Sequence, residues 1–303
     1  MEKDLNKAAA EGYRLLGTWY SGQLVSILQK VNASPSASEY RCLDASDIPA
    51  LEKKLKEAAA EGFRFVPRTL TQMSHLRGGT VGQIRLVVER GTGSSQRYDY
   101  FATAARQPED AVRLAVGSGY TLVGMMTWSV GGSYVLIGEK TAPGAAAGSE
   151  RVPTPMSAER YRLVAGPPGA NLQAQLSAAA VAGYRVVLTS TDSLPLVLIM
   201  EKTGDPSSPF EYLVISGADA PSMGSQLNAA AAKGFRAYPA IFAQPAVALM
   251  ERAPGSQGEH EYRFLERMIR MSFGKDFTQV TSQGWTPVGV SHGGDMLLFE
   301  KAR

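Results

Sequence analysis

Apolar and polar positions alternate along this chain in a pattern that recurs, and its most constant landmark is a glycine followed by an aromatic residue. The six pairs are Gly12-Tyr13, Gly62-Phe63, Gly119-Tyr120, Gly183-Tyr184, Gly234-Phe235 and Gly284-Trp285. An alanine-rich segment precedes most of them, and an apolar segment that ends in an acidic and a basic residue follows most of them. Self-similarity at a period of about 45 to 60 residues indicates tandem repeats of one structural element.

The pattern inside one repeat predicts a strand, a helix and two further strands. Segments such as EYRCL and EYLVI are short and rich in aromatic and apolar residues, which is typical of strands. In the second repeat Ser46 or Asp47 can cap the helix, and Pro49 fits its first turn. Gly62 then supplies a left-handed stop. The third strand of the fourth repeat, 196–200, is apolar throughout, which favours a central place covered on both faces.

We therefore predict an α+β protein of six tandem β-α-β-β repeats. Each repeat is a three-stranded sheet in the order 2-3-1 with one helix on a face. In the fourth repeat the opposite face carries Val187, Val197 and Ile199 and is too apolar to stay in water, so each repeat should pack against another. Paired sheets, a repeat array and a closed ring all satisfy this requirement.

The predicted boundaries of the repeats are 1–31, 39–91, 97–141, 159–203, 210–253 and 259–303. The first repeat lacks its opening strand, because the chain begins within the helix of that repeat. The linker 142–158 is rich in Ala, Gly and Pro and separates two sets of three repeats. We expect upstream residues, which could include a secretion signal or lipid anchor, to have been removed. Linkers of this composition favour an exported protein, although the compartment stays unassigned.

Two repeats carry a combination of motifs that resembles a known family. They contain YRLV, LSAAAVAGYRVV and VLIMEK over 159–203, then EYLV, LNAAAAKGFRAY and VALMER over 210–253. A tyrosine-led first strand, a helix that runs into Gly-aromatic and a last strand ending in Glu-Lys or Glu-Arg resemble the bacterial domain of unknown function 4177 family. The resemblance implies small β-α-β-β domains and supplies no catalytic residues. Family members more often have Gly-Trp-Glu where this chain has Gly-Tyr-Arg or Gly-Phe-Arg.

Composition narrows the class of protein. The 303 residues are 44% hydrophobic and 19% charged, which is typical of a globular chain that folds without a cofactor or metal. No segment approaches the ~20 apolar residues of a membrane span. The net charge of +3 comes without a basic block, which argues against nucleic acid as a partner. The single Cys42 excludes an internal disulfide and a multi-cysteine metal site.

Charged residues recur at two positions of the repeat. The arginines that follow the aromatic residue are Arg14, Arg64, Arg185 and Arg236, and the glutamates that end the third strand are Glu89, Glu139, Glu201, Glu251 and Glu300. This row could bind an anion or a partner. Cross-strand Arg-Glu pairing within each repeat, at ~0.2 to 1 kcal/mol per pair, is the favoured interpretation. The third repeat, with Thr121 after its aromatic residue, does not fit this pairing.

Tyrosines recur in the first strand. They are Tyr40, Tyr98, Tyr161, Tyr212 and Tyr262. Such a row could form a platform on which bases stack. The alternate neighbours of these tyrosines include Cys42, Leu163 and Val214, which are apolar, so packing in the core is favoured.

The second repeat carries an insertion. It has 27 residues from Gly62 to Glu89, whereas the fourth repeat has 18 residues over the same interval. Insertions confined to one repeat form loops on one face, often the binding face. The candidate binding residues in 68–82 are Arg68, Met73, His75 and Arg77, a set suited to an anionic or mixed ligand. The alternative is a disordered hairpin tip that binds nothing.

Three hypotheses for the function stay open. The first is a non-catalytic repeat scaffold that binds a protein, a peptide or a small ligand across several repeats. The second is an enzyme with its site between diverged repeats, although no catalytic motif is present in the sequence. The third is a structural protein that assembles through sheet edges, and the edge left open in the first repeat also permits a homo-oligomer.

Overall fold

The chain forms a series of small sheets and helices in two compact units. The computed structural model describes residues 1–20, 24–31, 38–74, 81–91, 96–128, 132–141, 158–190, 195–203, 209–217, 219–242, 246–258, 260–266, 273–290 and 296–303. The first unit is Met1–Glu159 and the second is Arg160–Arg303. The α+β class and the repeated organisation predicted from the sequence are confirmed.

The first unit contains repeats 1 to 3. Its helices are α1 (Glu2–Ala10), α2 (Ile48–Ala60) and α3 (Pro108–Gly117), and its strands are β1 (Tyr13–Tyr20), β2 (Leu24–Lys30), β3 (Glu39–Ala45), β4 (Arg64–Phe65), β5 (Thr71–Ser74), β6 (Val81–Arg90), β7 (Tyr98–Ala105), β8 (Thr121–Trp128) and β9 (Ser133–Thr141). Strands β1 and β2 form a two-stranded sheet, and no further strand among the described residues pairs with it. The second strand of repeat 2 is split into β4 and β5, which both pair with β6.

The second unit contains repeats 4 to 6. Its helices are α4 (Ala170–Val181), α5 (Ala220–Ala231) and α6 (Phe273–Ser282), and its strands are β10 (Tyr161–Gly166), β11 (Tyr184–Thr189), β12 (Leu196–Lys202), β13 (Glu211–Gly217), β14 (Arg236–Phe242), β15 (Ala246–Arg252), β16 (His260–Glu266), β17 (Thr286–Val290) and β18 (Met296–Ala302). In each of these three sheets the third strand lies between the first and the second and is antiparallel to both.

Helices and sheets alternate as layers inside each unit. Leu172 and Leu176 of α4 are fully buried. They share one apolar cluster with Leu198 of their own sheet and with Leu249 of the sheet of repeat 5. Helix α5 lies in the same way between the sheets of repeats 5 and 6, and α2 lies between those of repeats 2 and 3. Small alanine side chains on these helices allow the close approach of a sheet on both sides.

The ends of the helices follow the predicted chemistry. The carboxylate of Asp47 accepts a hydrogen bond of 2.8 Å from the backbone N–H of Ala50, and Pro49 lies in the first turn of α2. After each of the six helices the repeated glycine has a φ of 80 to 90°. This left-handed conformation strains any residue with a Cβ atom, so the prediction of a glycine stop is confirmed.

No helix within the described ranges is long and apolar enough to cross a membrane.

Candidate functional site

The most regular side-chain arrangement in the chain joins each repeat to the next one within a unit. An arginine on the second strand of one repeat binds the glutamate that ends the third strand of the following repeat. The four pairs are Arg14–Glu89 at 3.2 Å, Arg64–Glu139 at 2.8 Å, Arg185–Glu251 at 2.7 Å and Arg236–Glu300 at 2.8 Å. We call each arrangement of this kind, with the tyrosine and polar helix residue described below, a joint.

A tyrosine completes the charged part of the joint. The hydroxyl of Tyr262 donates a hydrogen bond of 2.8 Å to Glu300 and accepts one of 2.7 Å from the backbone N–H of Ala237 in the preceding repeat. Three other tyrosine hydroxyls accept a hydrogen bond from a backbone N–H of the preceding repeat in the same way. These are Tyr40, Tyr100 and Tyr212, which accept from Leu15, Phe65 and Val186 respectively. Each donor lies on a second strand, which forms an edge of its sheet, so the phenol satisfies a backbone group on that edge.

A polar side chain on the helix covers the other edge of the next sheet. The amide of Asn228 donates to the backbone carbonyl of Tyr262 at 3.0 Å and accepts from the N–H of the same residue at 2.8 Å. Asn6 makes the same two bonds with Tyr40. Gln173 bonds to the backbone of Tyr212 and Val214 in the same role. The open side of each of these first strands is therefore occupied from the preceding repeat.

The joint is an apolar environment for its ionisable groups. Glu139 and Glu300 are 8% and 5% exposed, and their arginine partners extend to the surface. Burial, with the neighbouring carboxylate adding to it, raises the pKa of Tyr100, Tyr212 and Tyr262 well above the ordinary value of a phenol. Each phenol is therefore a hydrogen-bond donor to the carboxylate at neutral pH.

The arrangement corrects the interpretation that arginine and glutamate pair within each repeat. Arg64 and Glu89 are opposite each other in adjacent strands of repeat 2, as the pairing within a repeat requires. Arg64 nevertheless bonds to Glu139 of repeat 3, and Glu89 bonds to Arg14 of repeat 1. The Arg-Glu pairs therefore join neighbouring repeats, because helix–sheet stacking brings the two charges together across the joint.

The same geometry explains the third repeat. Tyr100, not Tyr98, is opposite Glu139 in the sheet and occupies the joint. Tyr98 is only partly buried, and the guanidinium of Arg64 lies over its ring at 4.9 Å. The predicted role of the first-strand tyrosines as core residues holds for the other four, which are 1 to 8% exposed. The sequence pattern selected Tyr98 by its distance from Gly119 and missed Tyr100. The reason is that the third repeat has fewer residues between its first strand and its glycine.

Repeats 1, 3, 4 and 6 each depart from the joint on one side, and in repeat 3 Thr121 takes the place of the arginine. In repeat 1 the place of the glutamate is taken by Gln29, which is exposed. In repeat 4 Glu201 bonds to Arg160 of its own repeat at 2.5 Å. In repeat 6 the place of the arginine is taken by Thr286, and Pro287 follows where the other repeats have a backbone N–H donor. Repeat 6 thus lacks both groups with which repeats 1, 2, 4 and 5 hold their successors.

The insertion of repeat 2 is partly a structural element of the first unit. Residues 66–70 separate β4 from β5. Thr69 is fully buried, and its backbone carbonyl accepts a hydrogen bond of 3.1 Å from the hydroxyl of Thr18 in repeat 1. The carbonyl of Arg68, which is exposed and has a φ of 66°, accepts from the N–H of Thr18 at 3.1 Å. This part of the insertion therefore adds a second connection between repeats 1 and 2.

The four predicted binding residues have different positions. Arg68 is at the surface, whereas Met73 on β5 is 4% exposed and packs in the interior. His75 and Arg77 lie outside the described residues. The described part of the chain thus brings only Arg68 to a surface where a ligand would meet it.

Other reactive groups are few in the described part of the chain. Burial raises the pKa of the Cys42 thiol to about 11, so the thiolate that would act as a nucleophile or metal ligand is scarce at neutral pH. Within the same residues no group of three or more His, Cys, Asp or Glu side chains could hold a metal ion. The ionisable residues that are best organised by the fold are those of the joints.

No known protein family, curated protein or solved structure matches this chain.

Proposed function

We propose that the chain is a non-catalytic repeat scaffold that binds a protein, a peptide or a small ligand. The observation that carries the proposal is what the carboxylates of the joints bind. Glu139, Glu251 and Glu300 each bond to an arginine and a tyrosine of the joint. A carboxylate held by a guanidinium and a phenol stabilises an interface, whereas a general acid or base has to face a substrate and exchange a proton with it.

Stacked repeats are suited to binding. Within each unit, repeats that are joined at each step form a rigid surface, and a rigid surface loses little conformational entropy when a partner binds. The joints hold neighbouring sheets of a unit together. This supports a partner that contacts several repeats at once.

The strand order 2-3-1 is proposed for each complete sheet. Thr286 and Pro287 deprive repeat 6 of the arginine and the backbone N–H donor that form a joint. The same two residues oppose head-to-tail polymerisation through the joint. A structural protein that self-assembles through this end is therefore the weaker alternative.

The insertion stays the proposed binding site within the scaffold, with Arg68, Met73, His75 and Arg77 as its candidate residues. Arg68 at the surface supports contact with an anionic group. Met73 would support the insertion by packing beneath it in the interior. The enzyme hypothesis remains the second candidate function, with a site between diverged repeats.

The scaffold and enzyme hypotheses differ in what happens to the bound molecule. The full chain is incubated with a small-molecule and protein extract of its native source, and the extract is followed over hours by mass spectrometry. A scaffold retains a partner in fixed stoichiometry and leaves it chemically unchanged. Time-dependent consumption of a compound by the folded chain, but not by the heat-denatured chain, would overturn the proposal in favour of an enzyme.

A further inference from the structure

A basic side chain lies close to the ring of the aromatic residue after each glycine stop. In repeat 2 the guanidiniums of Arg41 and Arg90 lie 4.3 and 4.7 Å from the centre of the Phe63 ring. Arg41 also binds Glu61 at 2.7 Å. Arg90 also binds Glu39. Both positive charges of this cluster are therefore neutralised within repeat 2.

Repeat 4 has two basic residues at the same positions without these partners. The guanidinium of Arg162 lies 4.9 Å and the ammonium of Lys202 5.9 Å from the centre of the Tyr184 ring. Both basic residues are exposed, and neither forms an ion pair with a residue that the structure describes. Two positive charges are therefore left without a carboxylate beside one ring.

Two replacements remove the acids from repeat 4. Ala182 is the C-cap of α4 where Glu61 is the C-cap of α2, and the two residues have nearly the same backbone conformation. Arg160 precedes the first-strand tyrosine and binds Glu201 at 2.6 Å. The residues in the place of Arg160 in the other repeats with a first strand are all acidic: Glu39, Asp99, Glu211 and Glu261. Repeat 4 thus lacks the acid at both positions.

Lys202 is not used to hold the end of the helix. In repeats 2 and 5 the equivalent basic residue donates to a backbone carbonyl at the helix end, Arg90 at 3.0 Å and Arg252 at 2.9 Å. In repeat 4 the carbonyl of Gly183 accepts from the N–H and the hydroxyl of Thr203, at 2.8 and 3.0 Å. Lys202 makes no such bond within the described part of the chain, so its ammonium can bind a ligand.

A phosphate group fits this pair of cations. A guanidinium can donate two parallel hydrogen bonds to an oxyanion, and a lysine ammonium binds phosphate as a compact point charge. A phosphate monoester carries a charge of about −1.5 to −2 at neutral pH. It therefore matches two cations better than a carboxylate, which carries a single negative charge.

We propose that Arg162 and Lys202 bind the phosphate group of a ligand at the surface of repeat 4. The ring of Tyr184 positions the two side chains, because attraction to the ring limits the movement of each cation. This inference goes beyond the scaffold function, since a phosphate site can belong to a scaffold or to an enzyme. It also assigns a site to the second unit, whereas the insertion of repeat 2 belongs to the first.

Inorganic phosphate is the first probe. It is titrated into the isotope-labelled full chain at neutral pH and constant ionic strength, and the backbone amides are followed by NMR. We expect saturable shifts at 160–163, 183–185 and 201–203. Sodium chloride at the same ionic strength should not reproduce them. Equal shifts with chloride would overturn the proposal, because the cations would then attract any anion alike.

Charge variants locate the site. Arg162→Met and Lys202→Met should each weaken phosphate binding about fivefold. Ala182→Glu should weaken it to a similar extent while it keeps both cations, because it restores the acid that neutralises Arg41 in repeat 2. Arg41→Met is the matched control and should leave the affinity unchanged. Equal weakening by Arg41→Met would overturn the proposal, since phosphate would then bind basic surface in general.

The reciprocal change tests whether unpaired cations are sufficient. Replacing both Glu39 and Glu61 by Ala leaves Arg41 and Arg90 beside the Phe63 ring without their acids. This variant should gain a second phosphate site, with new shifts in repeat 2. An unchanged single site would overturn the physical basis of the proposal.

A phosphate ester identifies the source of the bound group. Glycerol phosphate is titrated in the same way as inorganic phosphate. Tighter binding of the ester would assign the site to a phosphorylated small molecule, and tighter binding of inorganic phosphate would assign it to the free ion. Both results support a phosphate site. Absence of saturable shifts with either compound at high millimolar concentration would overturn it.

Discussion

The Nη2 atom of Arg64 lies 2.8 Å from Oε1 of Glu139, although the two residues belong to different repeats. The Nε atom of the same guanidinium also donates to the carboxylate, so the contact is bidentate. Tyr100 donates to the second oxygen of Glu139 at 2.7 Å. Three hydrogen bonds therefore hold a nearly buried carboxylate between repeats 2 and 3, and this makes the joint the first place to probe stability.

Removal of the arginine should destabilise the joint more than removal of both charges. Arg236→Met leaves Glu300 without its guanidinium, and we expect a loss of about 1 to 2 kcal/mol in the free energy of unfolding. The double variant Arg236→Met with Glu300→Gln should recover part of that loss. Urea unfolding measures both. Arg252→Met, which breaks the more exposed pair with Glu211, is the matched control and should cost less than about 1 kcal/mol. Equal losses in the two arginine variants would contradict the special role of the joint.

The hydroxyl of Tyr100 should matter for stability, and that of Tyr98 should not. Tyr100→Phe removes the bonds to Glu139 and to the N–H of Phe65, and the expected loss is about 1 to 3 kcal/mol. Tyr98→Phe keeps the ring under the Arg64 guanidinium and should change stability by less than about 0.5 kcal/mol. Thermal unfolding of both variants decides between them. A larger effect at Tyr98 would mean that the register of repeat 3 is wrong.

Alkaline pH should unfold the joints. The folded state holds the protons of Tyr100, Tyr212 and Tyr262 more tightly than the unfolded state, because burial raises their pKa. Their contribution to stability is therefore fully present below pH ~10, the unfolded pKa of tyrosine, and is lost as the pH rises above it. Absorbance at 295 nm should show a group of phenols that ionise only together with the loss of circular dichroism. Ionisation of all tyrosines near pH 10 in the intact fold would contradict this.

The glycine after each helix should resist replacement. Gly234→Val places a β-branched residue at a φ of 87°, where its Cβ would also collide with the backbone carbonyl of Ser256. We expect a loss of more than about 1 kcal/mol in the free energy of unfolding. Gly183→Val has the same backbone conformation and should behave alike.

Gly117, the last residue of α3, provides the control for that experiment. Gly117→Ala in α3 meets no atom within 4 Å, so it should leave stability unchanged or raise it by up to about 1 kcal/mol. Melting temperatures of the three variants test the prediction. A Gly234→Val protein that melts with the parent would show that the left-handed stop is not needed.

The chemistry of neighbouring residues was enough to predict the helix ends and the central strand from the sequence. The glycine-aromatic pairs mark the ends of helices because only glycine adopts the left-handed backbone at low cost, and Asp47 with Pro49 marks a beginning for equally local reasons. The apolar run 196–200 predicted a strand covered on both faces, and β12 is buried over these residues. Patterns of this kind depend on neighbours in sequence, so a single repeat is enough to recognise them.

Only the tertiary structure decided which groups meet. Arg185 lies opposite Glu201 in its own sheet, and both have the charges of a cross-strand pair, yet Arg185 bonds to Glu251. Arg185 reaches Glu251 because α4 forms a layer between the two sheets. The residue spacing within one repeat does not specify the distance between those sheets. The preference for Tyr100 over Tyr98 has the same origin, because strand register rather than sequence count sets which tyrosine reaches the carboxylate.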